Sequence, residues 1–249
     1  MPEGLLVSWL LGACRVAGFL FALPALGGPR VPVPASVGLG VFVAAGVSPA
    51  TPAVRDLATF GALALKEGAL GLFLGWGVAL AFTAVQVAAQ VAELNLGLGA
   101  GQLVDPLHGH ESTVLAQLWS TLALVVYLGT DAHHHALRLV GTSFAQVPVD
   151  RLPSAARVTE AALELFARSF LAGVQLAAPL VAASVAVEAG IALAARAAPQ
   201  VNVFLVALPL KVGLALLLVG LFLPHTLSGV GAVLDGSLRL VAGWLRRAP

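Results

Sequence analysis

Three groups of residues have types and spacings that suggest no simple packing role and invite a chemical reading: the histidines, a serine near one of them, and a run of glycines. His108 and His110 stand two apart, His133, His134 and His135 are consecutive, and Ser228 follows His225 by three. Imidazole is a common metal ligand and proton acceptor. A metal site needs donors that converge, yet consecutive residues on a helix point about 100° apart. No cysteine joins the run and no H-E-x-x-H occurs, so these histidines read as solvated or interfacial side chains. A nucleophilic serine needs a base and an orienting third group, commonly on a G-x-S-x-G elbow. None accompanies His225 and Ser228. Gly97, Gly99 and Gly101 give G-x-G-x-G, but a dinucleotide loop requires a strand before it and a helix after it. Here the glycines follow a long apolar, helix-like run. The chain is therefore expected to be no enzyme, to hold no metal and to carry no cofactor.

Composition places these residues in a membrane. Of 249 residues, 59% are hydrophobic and 10% charged, against about 25% charged in ordinary soluble domains. A soluble protein of this length needs a polar skin that this chain cannot supply. The net charge of +1 gives no field to gather nucleic acid. The single cysteine, Cys14, sits in an apolar run and excludes an internal disulfide. The start Met-Pro-Glu lacks a basic n-region, so residues 5–23 read as a retained membrane segment rather than a cleaved signal.

Six apolar stretches follow one another, at about 5–23, 33–47, 60–92, 114–128, 171–195 and 201–223. A spanning helix needs about 20 apolar residues. The first, fifth and sixth stretches meet this, the third exceeds one crossing, and the second and fourth are short. Leu and Ala dominate, which favours helix, and no strand-like alternation is present. The expected class is all-α, a polytopic membrane protein forming one membrane-embedded domain over 1–249. Basic residues gather in alternate loops and at the tail, which places both termini in the cytoplasm if all six stretches span. Prolines 24, 29, 32 and 34 break the chain after the first stretch. Thr130 or Asp131 is a plausible N-cap for a helix entering His133. The polar interval 141–164 has room for a turn and the start of a long helix.

Within this frame the glycine run acquires a different meaning. Gly97, Gly99, Gly101, Asp105, Pro106 and Gly109 make 97–112 the stretch least suited to helix. Non-helical backbone at membrane depth survives where protein or a water-filled cavity surrounds it, so this stretch is a candidate gate or plug. Ionisable residues in apolar runs, Arg15, Lys66, Glu67, Glu188, Arg196 and Lys211, each cost about 2.5–3.5 kcal/mol at a helix centre and call for partners. Glu188 is expected to pair with Lys211 or Arg196 across the last hairpin, while the neighbours Lys66 and Glu67 neutralise each other locally. Gly68, Gly71 and Gly75 share a helix side and permit close approach of another helix. Pro179 and Pro209 interrupt the last two apolar stretches and are expected to kink them.

Several segments resemble the FliR/SctT family of type III export-apparatus membrane proteins. Arg196-Ala-Ala-Pro199-Gln200-Val-Asn202-Val-Phe204, followed by Pro209-Leu210-Lys211, is similar to that family's R-x-x-P-Q-x-N-V-F…P-L-K stretch. Thr142-Ser-Phe-Ala-Gln-Val-Pro148 resembles its S-F-x-x-x-P element, and Val104-Asp105-Pro106 with Gly109 resembles the element after its third hydrophobic region. An arginine usual in the family after Val31-Pro32 is absent, with Pro34, Ala35 and Ser36 in its place. The resemblance covers nearly the whole chain. It implies a pore-forming subunit of the bacterial type III export gate, built of kinked helical hairpins in a hetero-oligomer with FliP- and FliQ-like proteins and other export-apparatus membrane proteins. It further implies a place in the bacterial inner membrane at the flagellar basal body, unfolded export substrates, and a plug formed by the stretch around 97–112. Alternative readings are the non-flagellar equivalent and a self-sufficient small-solute transporter with midplane binding.

Overall fold

The computed structural model describes residues 2–24, 38, 56–97, 114–197 and 203–247. Its elements are helices throughout: α1 Pro2–Ala22, α2 Leu57–Leu96, α3 Val114–Gly129, α4 Ala132–Gln146, α5 Ala155–Ala197 and α6 Val203–Arg247. The protein is an all-α polytopic membrane protein. Helices α2, α5 and the Pro209–Arg247 part of α6 are long and apolar enough to cross a bilayer, while Leu6–Ala22 and Leu115–Gly129 are shorter apolar helices. Apart from Gly38, the apolar stretch at 33–47 lies outside the described residues.

The fifth and sixth stretches are parts of much longer helices. α5 runs for 43 residues through Pro179, and α6 for 45 residues through Pro209 and Pro224. Their polar ends escape an apolar-run reading because they lie beyond a bilayer's thickness. α1 runs for 21 residues with one side packed on protein, where Leu11, Arg15, Val16, Phe19 and Leu20 are fully buried, while Leu6, Leu10 and Phe21 on other sides are exposed. The interval 141–164 does hold a turn between α4 and α5.

The contacts fall into two compact units. The first takes in α1, α2 to Phe82, the chain from Tyr127 to Ser169, and the end of α6 from Leu234. Here α1 lies on α2 with their backbones nearly touching. A Cβ on Gly71 would collide with the carbonyl oxygen of Arg15, and one on Gly75 with that of Phe19. Gly18 on α1 answers in kind, since its Cβ would meet the carbonyl oxygen of Gly68. In a membrane such small-residue seams replace the hydrophobic effect as the source of association, because lipid is as apolar as leucine. Phe73 and Trp244 pack edge-on with centroids 4.7 Å apart, as do Phe82 and Tyr127 at 5.3 Å. The second unit takes in residues 83–126 and 170–233. Its centre is fully buried Trp119 with Ala88, Ala89, Ala92 and Leu180. Gly173 brings α5 against the Ala84 carbonyl there.

The seam yields a contrast. Gly71→Ala forces backbone apart and is expected to lower Tm in detergent by about 3–10 °C, from an overpacking cost of about 1–3 kcal/mol. Gly61→Ala, with nothing within 4 Å of its added Cβ, should leave Tm unchanged or raise it. Equal Tm values for the two variants would refute the close seam.

Candidate functional site

The close seam places α1 and α2 so that their charges meet. Arg15 and Glu67 are fully buried, and Arg15 Nε donates to Glu67 Oε2 at 2.5 Å. The other guanidinium nitrogens reach α4. Nη1 donates to Ser143 Oγ at 3.1 Å and Nη2 to the Val147 carbonyl at 2.9 Å. Ser143 can accept because its own proton goes to the Val140 carbonyl at 2.6 Å. The guanidinium carbon lies 4.1 Å from the centre of the Phe144 ring, a cation–π contact that gains from desolvation. Lys66 completes the cluster. Its ammonium is 2.9 Å from Glu67 Oε1 and donates to the carbonyls of Pro148 and Val149 at 3.1 and 2.7 Å.

This cluster holds two cations and one anion, and the surplus positive charge faces the C-terminal end of α4. A helix C-terminus carries about half a negative charge and carbonyls without helical partners. Arg15 and Lys66 donate to three carbonyls at and just past that end, those of the C-cap Val147 and of Pro148 and Val149 in the turn that follows. The Ser143–Pro148 motif is thus the acceptor edge of a buried ion cluster. The sequence alone presents Lys66 and Glu67 as a local pair and assigns Arg15 no partner. The pair is real, but Glu67 is shared with Arg15.

In the second unit, polar contacts collect where α2 ends and α3 begins. Gly97 closes α2 with φ +72°, the left-handed conformation that ends helices and suits glycine. Glu93, 3% exposed, accepts the Leu115 N–H at 3.1 Å. A carboxylate there satisfies an orphan donor and meets the positive end of the α3 dipole. It also joins the two sides of the glycine-rich segment. Lys211 Nζ donates to Glu188 Oε1 at 2.8 Å, with both side chains partly exposed. Of the two partners weighed for Glu188, Lys211 is the one engaged. A Cβ on Gly97 would lie 3.8 Å from Lys211 Cδ, so the pair adjoins the end of α2. Arg196 is exposed in the last turn of α5, and Pro209 is exposed inside α6.

Gly99, Gly101, Asp105, Pro106, Gly109, His108, His110, Pro199, Gln200 and Asn202 lie outside the described residues. Asp131 is the residue before α4, at φ 56°, yet its side chain caps no backbone N–H and instead contacts His134 Nδ1 at 3.1 Å. With His133 these two bring donor atoms within 4.8 Å of one another, while His135 stands apart. The Ser228 hydroxyl donates to the His225 backbone carbonyl at 2.9 Å, not to its ring.

Comparison with known proteins gives the family. The family model for bacterial export proteins, family 1, matches residues 6–236.

This chain belongs to that family.

Among curated members, the flagellar biosynthetic protein FliR of Bacillus subtilis is 29% identical over 217 residues, covering 85% of this chain and 84% of its own length. FliR of Escherichia coli is 28% identical, covering 84% and 82%. The Yop proteins translocation protein T of Yersinia pestis is 28% identical over a shorter span, 66% of this chain and 63% of its own.

For this member of the export family, the ion cluster predicts an asymmetric mutational pattern. Glu67→Ala leaves a buried, unpaired Arg15 and is expected to destabilise the protein by about 3–5 kcal/mol. Arg15→Met combined with Glu67→Leu removes both charges and should cost distinctly less than Glu67→Ala alone, as read from thermal unfolding in detergent. A double variant destabilised as much as Glu67→Ala alone, or more, would contradict this reading.

Proposed function

We propose that this chain is a pore-forming subunit of a bacterial type III protein export gate, passing unfolded substrates across the inner membrane. The family match across residues 6–236 carries the reading. The flagellar form is favoured over the virulence-associated one because the FliR relatives align over 84–85% of the chain and the Yop relative over 66%. FliP- and FliQ-like proteins are the proposed partners, in a hetero-oligomer at the flagellar basal body. Exposure supports partners of some kind. The most apolar window of α2 is 61% buried, but those of α5 and α6 are 28% and 17% buried. Leu193, Leu216, Leu217 and Leu221 are all more than 60% exposed, and such faces require lipid or neighbouring helices.

Residues 97–112 are the proposed gate. Glu93, Gly97 and the Glu188–Lys211 pair sit around its two ends, and Glu188, Arg196 and Lys211 with Pro199, Gln200 and Asn202 are proposed to shape the hairpin beside it. A hydrogen bond to a charged group contributes about 1.5–3 kcal/mol. Losing the Glu93–Leu115 bond would therefore change the balance between closed and open states by about 10- to 100-fold.

Two measurements test this reading. Tagged protein expressed with the FliP- and FliQ-like proteins of its host should emerge from mild detergent as one hetero-oligomer, and alone in liposomes it should move no small solute. Solute transport by the isolated chain would overturn the export assignment. Within the assembled gate, Glu93→Ala should raise ion leakage across the membrane, while Glu93→Gln, which keeps an acceptor oxygen, should stay close to wild type. Leakage of the alanine variant at the wild-type level would remove Glu93 from the gate.

A further inference from the structure

In the first unit, the start of α5 and the end of α6 enclose a groove of about 500 Å³. Its lining contains five arginines, Arg157, Arg168, Arg239, Arg246 and Arg247. Against them stand Glu160 and Glu164, so five positive less two negative charges leaves a surplus of three. Glu164 is taken by Arg168 at 2.7 Å, and Arg239 is 3.7 Å from Asp235 one turn earlier on its own helix. Arg157 Nη1 donates to the Arg247 carbonyl at 2.5 Å, which ties the two helix ends together. Arg246 and Arg247 have no carboxylate partner among the described residues, and both are exposed. Trp244 lies in the same wall, 7% exposed, with an indole N–H that has no acceptor among the described residues. The lining is therefore rich in donors and positive charge.

What lies beside the groove narrows the choice of guest. Both helices that form it are long and apolar enough to cross a bilayer. On α5 exposed apolar surface follows one turn beyond the groove's Arg168, on the groove's side of the helix, with Leu171 55% exposed. A donor-rich basic recess thus adjoins an apolar helix flank at the polar end of two membrane helices. A phosphodiester headgroup carries negative charge and acceptors, and its acyl chains would lie along such a flank. Basic pockets between membrane helices recognise anionic lipids in this way, with about 1 kcal/mol from each Arg or Lys near the surface. A free phosphate would use the arginines but leave the flank without a role.

We propose that this groove binds the headgroup of an anionic phospholipid, with Arg246 and Arg247 as its principal charged contacts. The inference rests on the membrane fold and not on the export assignment.

The test uses the full-length protein in mild detergent, titrated with phosphatidylglycerol, with phosphatidylcholine or with inorganic phosphate, and read by native mass spectrometry. The wild type should retain phosphatidylglycerol over phosphatidylcholine. Arg246→Glu with Arg247→Glu should lower that retention about thirtyfold or more, and Arg138→Glu, an exposed change elsewhere, should not. Arg246→Lys with Arg247→Lys keeps the charge and should retain lipid. If the reversed-charge variant fails to fold, the same comparison is made with Arg246→Gln. Equal retention of the two lipids, or of phosphatidylglycerol by wild type and Arg246→Gln, overturns the proposal. Displacement of the lipid by millimolar inorganic phosphate overturns it in favour of a free-anion site. Loss of an acidic partner protein from the variants, with lipid retention unchanged, overturns it in favour of a protein interface.

Discussion

A fully buried arginine in an apolar helix is tolerable where each of its guanidinium nitrogens finds an acceptor, and Arg15 meets that condition. One guanidinium engages the carboxylate of Glu67 on α2, the hydroxyl of Ser143 and the carbonyl of Val147, and lies over the Phe144 ring. Arginine suits this place because its planar fork presents several fixed donors at once, whereas lysine is a point charge. The neighbouring Lys66 uses that property, projecting one ammonium onto two successive carbonyls. The cluster can form because Gly18, Gly68, Gly71 and Gly75 let α1 and α2 approach to backbone contact. Seam and cluster are mutually dependent. Larger residues in the seam would pull Arg15 away from Glu67, and an unpaired charge would make the seam unfavourable in lipid.

The second unit uses polar groups differently. Its ion pair, Glu188 with Lys211, is partly exposed, where screening and side-chain entropy leave such pairs worth about 0–1 kcal/mol. Glu93 is buried and bonded to a helix start, so it belongs to the stronger class. The gate proposed at residues 97–112 would benefit from this division. Strong, dry contacts hold α1, α2 and α4 in one unit, while the ends of the glycine-rich segment are tied by one buried hydrogen bond and an adjacent, readily exchanged ion pair. Elements that move are drawn from the less stable parts of a fold.

Much of this was legible from local pattern. Leu- and Ala-rich runs identify membrane helices because lipid demands them. Gly68, Gly71 and Gly75 mark a packing face because their spacing matches the helix. Glu188 and Lys211 flank a short turn, so proximity follows from connectivity. The central cluster was not legible in the same way. Arg15 and Glu67 are 52 positions apart and Arg15 and Ser143 are 128 apart, and no periodicity connects them. The adjacency of Lys66 and Glu67 offered a simpler local neutralisation that concealed the distant partner. Glu93 drew no reading from the sequence, since its acceptor role depends on where α3 returns. The S-F-x-x-x-P motif was the available signal, because a serine, an aromatic ring and a proline-ended helix together form an arginine receptor.

The claim that Arg15 organises the first unit is tested most directly by hydrogen–deuterium exchange of the Arg15→Lys variant in detergent. Lysine keeps the charge but cannot bridge Glu67, Ser143 and Val147 together. Exchange should rise at the turn after α4, residues 147–151, and along α1, while residues 170–197 of α5 keep their wild-type protection. Unchanged exchange at 147–151, or a uniform rise along the whole chain, would contradict the account.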